Sequence, residues 1–415
     1  PHPSYYEVKK CYADIEAVSF YIKTKKLIVK NKRFFASSSD YDLKWKCSLN
    51  GKEISNGIIS KIDIPPQSQK EYEIYLNIPS SEEGEAVLII SFVTNQAKPY
   101  APKGFEQNFS QFILSDFISP SVSSRQESVP SFTKEGNSIT IIGSGFKCEL
   151  KNGCISKLSY GDNEVIHDKL PMTPDYYRPL TDNDRGYFNF APNLVKLNPL
   201  SWWNNNLNLS YKTKEEYKNG ELYITVFNLT PFIFSSQTIY SFSSDGKITV
   251  KHSIQGSLLP LLKVGLKVGI LQEFNNIKWY GIGPHETYCD RKFSGKIGLF
   301  ESDIESVNHM YMRPQENGHH CDTRYLELKN KNNKGIRISA DGGFFGFNCS
   351  AHSLENIDKA THIFELNKND FITLSIDGGQ RGVGGDMPGC VYLHKPYKLS
   401  QTGKHSFSFI IEKID

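Results

Sequence analysis

Apolar and polar residues alternate with a period of two along much of this 415-residue chain. Leu43, Trp45, Cys47 and Leu49 alternate with Lys44, Lys46 and Ser48, and the run ends at Asn50-Gly51. Such spacing buries one face of a strand and wets the other, and Asn-Gly accepts the positive φ that a tight hairpin needs. The pattern returns at Tyr72, Ile74, Leu76 and Ile78, and at Phe146, Cys148 and Leu150 before Asn152-Gly153. It recurs at Leu222, Ile224 and Val226, then at Ile248, Val250 and Ile254 after Asp245-Gly246. Phe407, Phe409 and Ile411 close the series. Helical periodicity is nearly absent, so the chain reads as all-β, built of antiparallel sheets packed face to face.

Between residues 117 and 137 serine, proline and charged residues crowd together with few apolar anchors. This stretch reads as a linker or an extended crossing strand. About seven strand-like runs precede it, the size of an immunoglobulin-like β-sandwich over residues 1–116. Residues 138–415 suffice for one large two-sheet domain. No internal repeat has a solenoid or propeller period.

Lysine and arginine total 48 against 45 acidic residues, a formal charge of +3. That balance argues against nucleic acid as a partner. No stretch approaches the ~20 consecutive apolar residues of a membrane span. The chain opens at Pro1-His2-Pro3 without an initiator methionine, so the lack of a leader peptide carries no information. The eight cysteines form no C-x-x-C pair and meet no histidine at zinc spacing, so free thiols in a reducing, cytoplasmic compartment are expected. Cys148 and Cys154 flank a hairpin turn and are the pair placed closest by sequence. Four N-x-[ST] sequons, at Asn108, Asn208, Asn228 and Asn348, match the number chance gives in an asparagine-rich chain.

Three polar segments punctuated by glycine and proline interrupt the strands. The first, Tyr176 to Gly186, holds Asp182, Asn183, Asp184, Arg185 and Gly186. Short side chains that bond their own backbone suit a sharp loop, and also a polar rim facing a hydroxylated ligand. A calcium loop is not matched, because the glycine and terminal glutamate of an EF-hand are missing. The second segment carries His285, Glu286, Asp290 and Arg291, with Arg313, Glu316 and Asn317 some twenty residues later. Glu286 and Glu316 have two readings. They form a network of arginine–carboxylate pairs tying loops together, or an acid and nucleophile held ~5 Å apart. The third, Asp377 to Gly389, is glycine-rich but satisfies no phosphate-loop pattern. Its glycines read as sites of positive φ or close backbone approach.

Together these segments resemble the C-terminal half of the long-chain bacterial β-galactosidases of glycoside hydrolase family 2. That family's W-R-x-P-T-D-N-D-x-G is similar to Arg178 to Gly186. Its G-R-G-P-x-E-x-Y-x-D-R resembles Gly281 to Arg291, with Ile282 in place of arginine, and its R-P-Q-E-N-G is present as Arg313 to Gly318. M-G-V-G-G-D is similar to Arg381 to Asp386. The opening, His2 to Tyr12, looks like the family's exit from its catalytic barrel, and WKCSLNGKEISNG looks like its second immunoglobulin-like domain.

The resemblance implies a final β-supersandwich similar to galactose mutarotase. It also implies that the two catalytic glutamates, and the magnesium and sodium ligands, lie on a barrel outside this chain. No catalytic residue, metal ligand or cofactor is then expected here. The implied contribution is a rim for a β-galactoside, built by the loop from Gly186 into Tyr187 and Phe188 and by the region of Asp386. The family's sugar-stacking tryptophan is replaced by Gly389, which leaves Tyr187 or Phe188 as the candidate ring. The expected partner is the barrel, on the same chain or on a large subunit, and oligomerisation is expected. A stand-alone carbohydrate-binding or mutarotase-like module is the alternative.

Overall fold

In a computed structural model, residues 1–119, 129–186, 197–204, 210–386 and 393–414 are described. Contacts divide the chain into two units, residues 1–118 with 293–299, and residues 119–292 with 300–415.

The first unit packs a three-stranded sheet, ordered Ile15–Tyr21, Lys26–Asn31, Gln69–Glu73, against a four-stranded one, ordered Lys52–Ile59, Tyr41–Leu49, Ala86–Thr94, Glu106–Ser115. Alternation explains the layering. Leu43, Trp45 and Cys47 point inward to meet Leu27 and Val29 from the facing sheet, while Lys44 and Lys46 stay in water. Asn50 (φ 49) and Gly51 (φ 80) make the turn that the sequence predicts between Tyr41–Leu49 and Lys52–Ile59. The run Tyr72 to Ile78 leaves its ladder at Glu73, yet Ile74 and Leu76 remain buried in the same core.

The second unit holds two five-stranded antiparallel sheets and a nine-stranded one. Asn152 and Gly153, with φ of 53 and 74, join Phe146–Lys151 to Cys154–Tyr160. In that hairpin Cys148 faces Leu158 rather than Cys154, and both thiols are free. Within residues 117–137, Ser131–Glu135 forms a strand paired with Ser138–Gly143. Only short helices occur among the described residues, the longest spanning Ser4–Cys11, and no helix is long and apolar enough to cross a membrane. Asn108, Asn228 and Asn348 are all buried, and Asn208 lies outside the described residues.

The strand Lys263–Leu271 positions the site. It runs between Thr173–Asp175 and Phe371–Gln380, so the starts of the first and third polar segments border one strand.

Candidate functional site

The three polar segments meet over a layer of buried charge. In the first, Thr181 caps a single turn of helix, Asp182–Arg185, by accepting the Asp184 N–H at 3.1 Å. The Asp184 carboxylate in return accepts the Thr181 N–H, so the loop is fixed by its own polar groups. Arg178, wholly buried, donates to both Asp184 oxygens at 3.2 and 2.9 Å and reaches across to the Arg381 and Gly382 carbonyls. One guanidinium thereby ties the first segment to the third. Asn183 adds a bond from its amide to the Val383 carbonyl at 2.9 Å.

The second segment grips the third through Asp290. Its carboxylate accepts the Val383 and Gly384 N–H groups at 3.2 and 2.7 Å. A Cβ on Gly382 would run into that carboxylate, which explains a glycine there by close approach. Glu286 accepts the Gly318 N–H at 2.7 Å and also receives Arg291 and the Tyr311 hydroxyl. Glu316 is buried and accepts Gln380 Nε2 at 3.0 Å and the Tyr288 hydroxyl at 3.4 Å. Burial pushes its carboxyl up to about 7, against the pull of the Arg178 and Lys263 charges.

Beneath lies a charge cluster that sequence reasoning missed. Lys263, buried, sits 2.7 Å from Asp175 and 3.4 Å from Asp377. The two carboxyls respond in opposite directions. Asp175 is held below the usual range because Lys263 and Lys267 together outweigh its desolvation. Asp377, farther from Lys263 and repelled by Asp175, is raised to about 6, chiefly by burial. His319 stands 3.6 Å from Asp377, bonds the Thr287 carbonyl through Nδ1, and is held down to about 4 by burial. It is neutral at pH 7.

The remaining predicted residues are spread around this layer. Arg185 donates to Asp358 at 3.2 Å. Arg313 lies 3.5 Å from the exposed Asp182, and Asn317 bonds the Gln315 carbonyl at 2.8 Å. His285 is half-buried, Gly186 is buried, and Asp386 pairs with His394 at 2.7 Å on the surface. Tyr187, Phe188 and Gly389 lie outside the described residues.

Among the described residues, no group of three or more histidine, cysteine or acidic side chains could hold a metal ion. Lys263 meets Asp175 and Asp377, Arg178 meets Asp184 and Arg291 meets Glu286, while Glu316 and Asp290 accept from neutral donors. These residues therefore do not fit a magnesium or sodium site.

Fold and site define an antiparallel, two-unit β-sandwich protein whose loop face is braced from below by paired charge. Two family models match it, one described as beta galactosidase small chain over residues 143–411 and one as beta-galactosidase, domain 4, over residues 27–115. The chain belongs to the beta-galactosidase small chain family. It is 25% identical to the beta-galactosidase of Priestia megaterium, over 99% of this chain and 40% of that protein. It is 24% identical to that of Streptococcus thermophilus, over 100% of this chain and 39% of that protein. The chain thus spans about two fifths of the length of these curated relatives. A galactose mutarotase related enzyme from Lactobacillus acidophilus aligns with a TM-score of 0.36 at 10% identity, covering 69% of this chain and 97% of that one.

Proposed function

We propose that this chain is the non-catalytic C-terminal region, or small subunit, of a β-galactosidase that cleaves terminal β-D-galactosides. In this reading its polar segments complete the rim of a sugar pocket whose bond-breaking groups belong to the barrel-bearing part, which also holds the family's ions. The observation that carries the reading is the Arg178–Asp184–Asp290 node. It anchors the first segment at Arg178 and Asp184 and the third at Gly382 and Gly384, ahead of Tyr187, Phe188 and Gly389, where the family resemblance places the sugar-facing positions. Rigid anchoring is what a positioning loop requires, since misplacement by about 1 Å can cost on the order of 100-fold in rate.

The Glu286 carboxylate also favours support over catalysis. Glu286 is engaged by Arg291, Tyr311 and the Gly318 N–H, which leaves it poorly suited to attack an anomeric carbon. The free thiols fit a reducing, cytoplasmic setting. The decisive experiment mixes the purified chain with a barrel-bearing fragment of a relative and follows release of nitrophenol from a nitrophenyl β-galactoside. Activity should arise only in the mixture and survive Glu316→Gln. Turnover by the chain alone would overturn the reading.

A further inference from the structure

Glu316 differs from the carboxyls around it. Buried Asp175 and Asp377 lie within ion-pair distance of Lys263, Asp184 of Arg178, and Glu286 of Arg291. Glu316 is also buried, yet among the described residues no basic side chain stands that close to it. A carboxylate taken out of water without a counter-ion is costly, and the usual escape is to keep the proton.

Its hydrogen bonds fit the neutral form. The two donors that reach it, Gln380 Nε2 at 3.0 Å and the Tyr288 hydroxyl at 3.4 Å, converge on one oxygen, Oε1. Among the described residues no donor reaches Oε2. A carboxylic acid divides its oxygens in this way, one accepting and the other carrying the proton. Gln380 supplies the complement. Its Oε1 is closed to solvent and has no donor within the protein, although its Nε2 is bonded to Glu316. Buried acceptors are satisfied in the great majority of cases. A proton on Glu316 Oε2 satisfies this one, because acid and amide then exchange two bonds, Nε2–H to Glu316 Oε1 and Oε2–H to Gln380 Oε1. Turning the amide over does not remove the need, since its oxygen would then face Glu316 and require the same proton.

We propose that Glu316 is a carboxylic acid in the folded chain, and that the proton it shares with Gln380 is a latch between the second and third polar segments. The latch opens when that proton passes to water. The charged and titratable groups facing Glu316 set when this happens. Arg178 of the first segment and Lys263 of strand Lys263–Leu271 favour ionisation, but both are engaged by Asp184, Asp175 and Asp377. Asp377 of strand Phe371–Gln380 opposes it, and Tyr288, its hydroxyl pushed far up by burial, stays a neutral donor. Burial outweighs the two cations and carries the Glu316 carboxyl up to about 7. The latch is therefore closed below that pH and released above it, where Gln380 Oε1 loses its donor and a second negative charge faces Asp377. It belongs to the chain by itself and does not rest on the rim reading.

The test is carboxyl-carbon NMR of the purified chain carrying carbon-13 glutamate, from about pH 4 to about pH 9, with backbone hydrogen exchange at each pH. The Glu316 carboxyl, assigned through its own side-chain carbons, should titrate at about pH 7 rather than at the ordinary ~4.3. Protection at residues 315–318 and 378–382, referenced to intrinsic exchange rates, should fall as pH rises through that midpoint, by at most about tenfold per pH unit. Glu316→Gln keeps both bonds as an amide–amide pair and should hold the closed-state protection at every pH. A Glu316 carboxyl that titrates in the ordinary range, as it would if a bound water served Gln380 Oε1, overturns the proposal. So does the same pH dependence of protection in the parent chain and in the glutamine variant.

Discussion

The first unit's core and the second unit's charged layer do the same structural task with opposite materials. Leu43, Trp45, Leu88, Ile90 and Phe92 hold two sheets together by apolar burial alone. That term is non-directional and scales with area, about 25 cal/mol per Å², so it tolerates small shifts and ignores pH. Arg178, Lys263, Asp175, Asp184 and Asp377 hold the first and third loops together by directed pairs taken out of water. Such pairs contribute little net stability, since desolvation offsets most of the attraction, but losing one partner is severe. The contrast teaches that the loop face is specified in geometry and in ionisation state, whereas the sandwich is specified mainly in volume.

The sharpest way to break the comparison is Lys263→Met. It leaves two buried carboxylates without their shared ammonium and should cost about 3–5 kcal/mol in denaturant unfolding of the second unit, partly recovered as the pH is lowered. Phe92→Ala in the first unit should cost a similar amount, about 3–5 kcal/mol, with no recovery at low pH. Equal pH responses in the two variants would dissolve the distinction.

A smaller effect separates the regions by titration alone. Glu316 and Asp377 have folded values raised to about 7 and about 6. A carboxyl raised on folding binds its proton more tightly in the native state, so its contribution to stability falls as pH rises from about 4 through those values. Glu316→Gln removes one such group. It should gain about 1–3 kcal/mol relative to the parent chain between pH 4 and pH 8, read from urea midpoints at each pH. A variant whose stability tracks the parent at every pH would show that Glu316 ionises freely. The mildest probe is Gly51→Ala, which forces a side chain onto a φ of 80 and should cost about 1 kcal/mol in the first unit, without touching the loop face.

The two regions were also unequally legible in the sequence. Alternation and Asn-Gly turns located the strands around Asn50 and Asn152, because one wet face leaves a polar residue at every second position. The same rule hid Lys263. It stands in the run Leu261, Leu262, Lys263, Val264, where a lysine among apolar residues reads as the wet side of a strand. Here both faces of that strand are covered, so the lysine is buried with its counter-charges. Asp377 and Arg178 were within recognised segments, but only three-dimensional register showed that Asp377 answers Lys263 and that Arg178 bonds the Arg381 and Gly382 carbonyls of the third segment. Asp182 to Arg185 read as a turn and form one turn of helix, because the Thr181–Asp184 capping pair satisfies the N-terminal donors.

The buried sequons have a consequence for how such a chain can be made. Asn108, Asn228 and Asn348 each carry the acceptor signature, yet their amides are enclosed once the strands close. Asn108 donates its amide to the Ile15 carbonyl at 2.6 Å, a bond a glycan would abolish. Attachment of a bulky, water-loving sugar tree must precede folding and would then forbid it. At these three asparagines, sugar transfer and closure of the sheets therefore exclude each other.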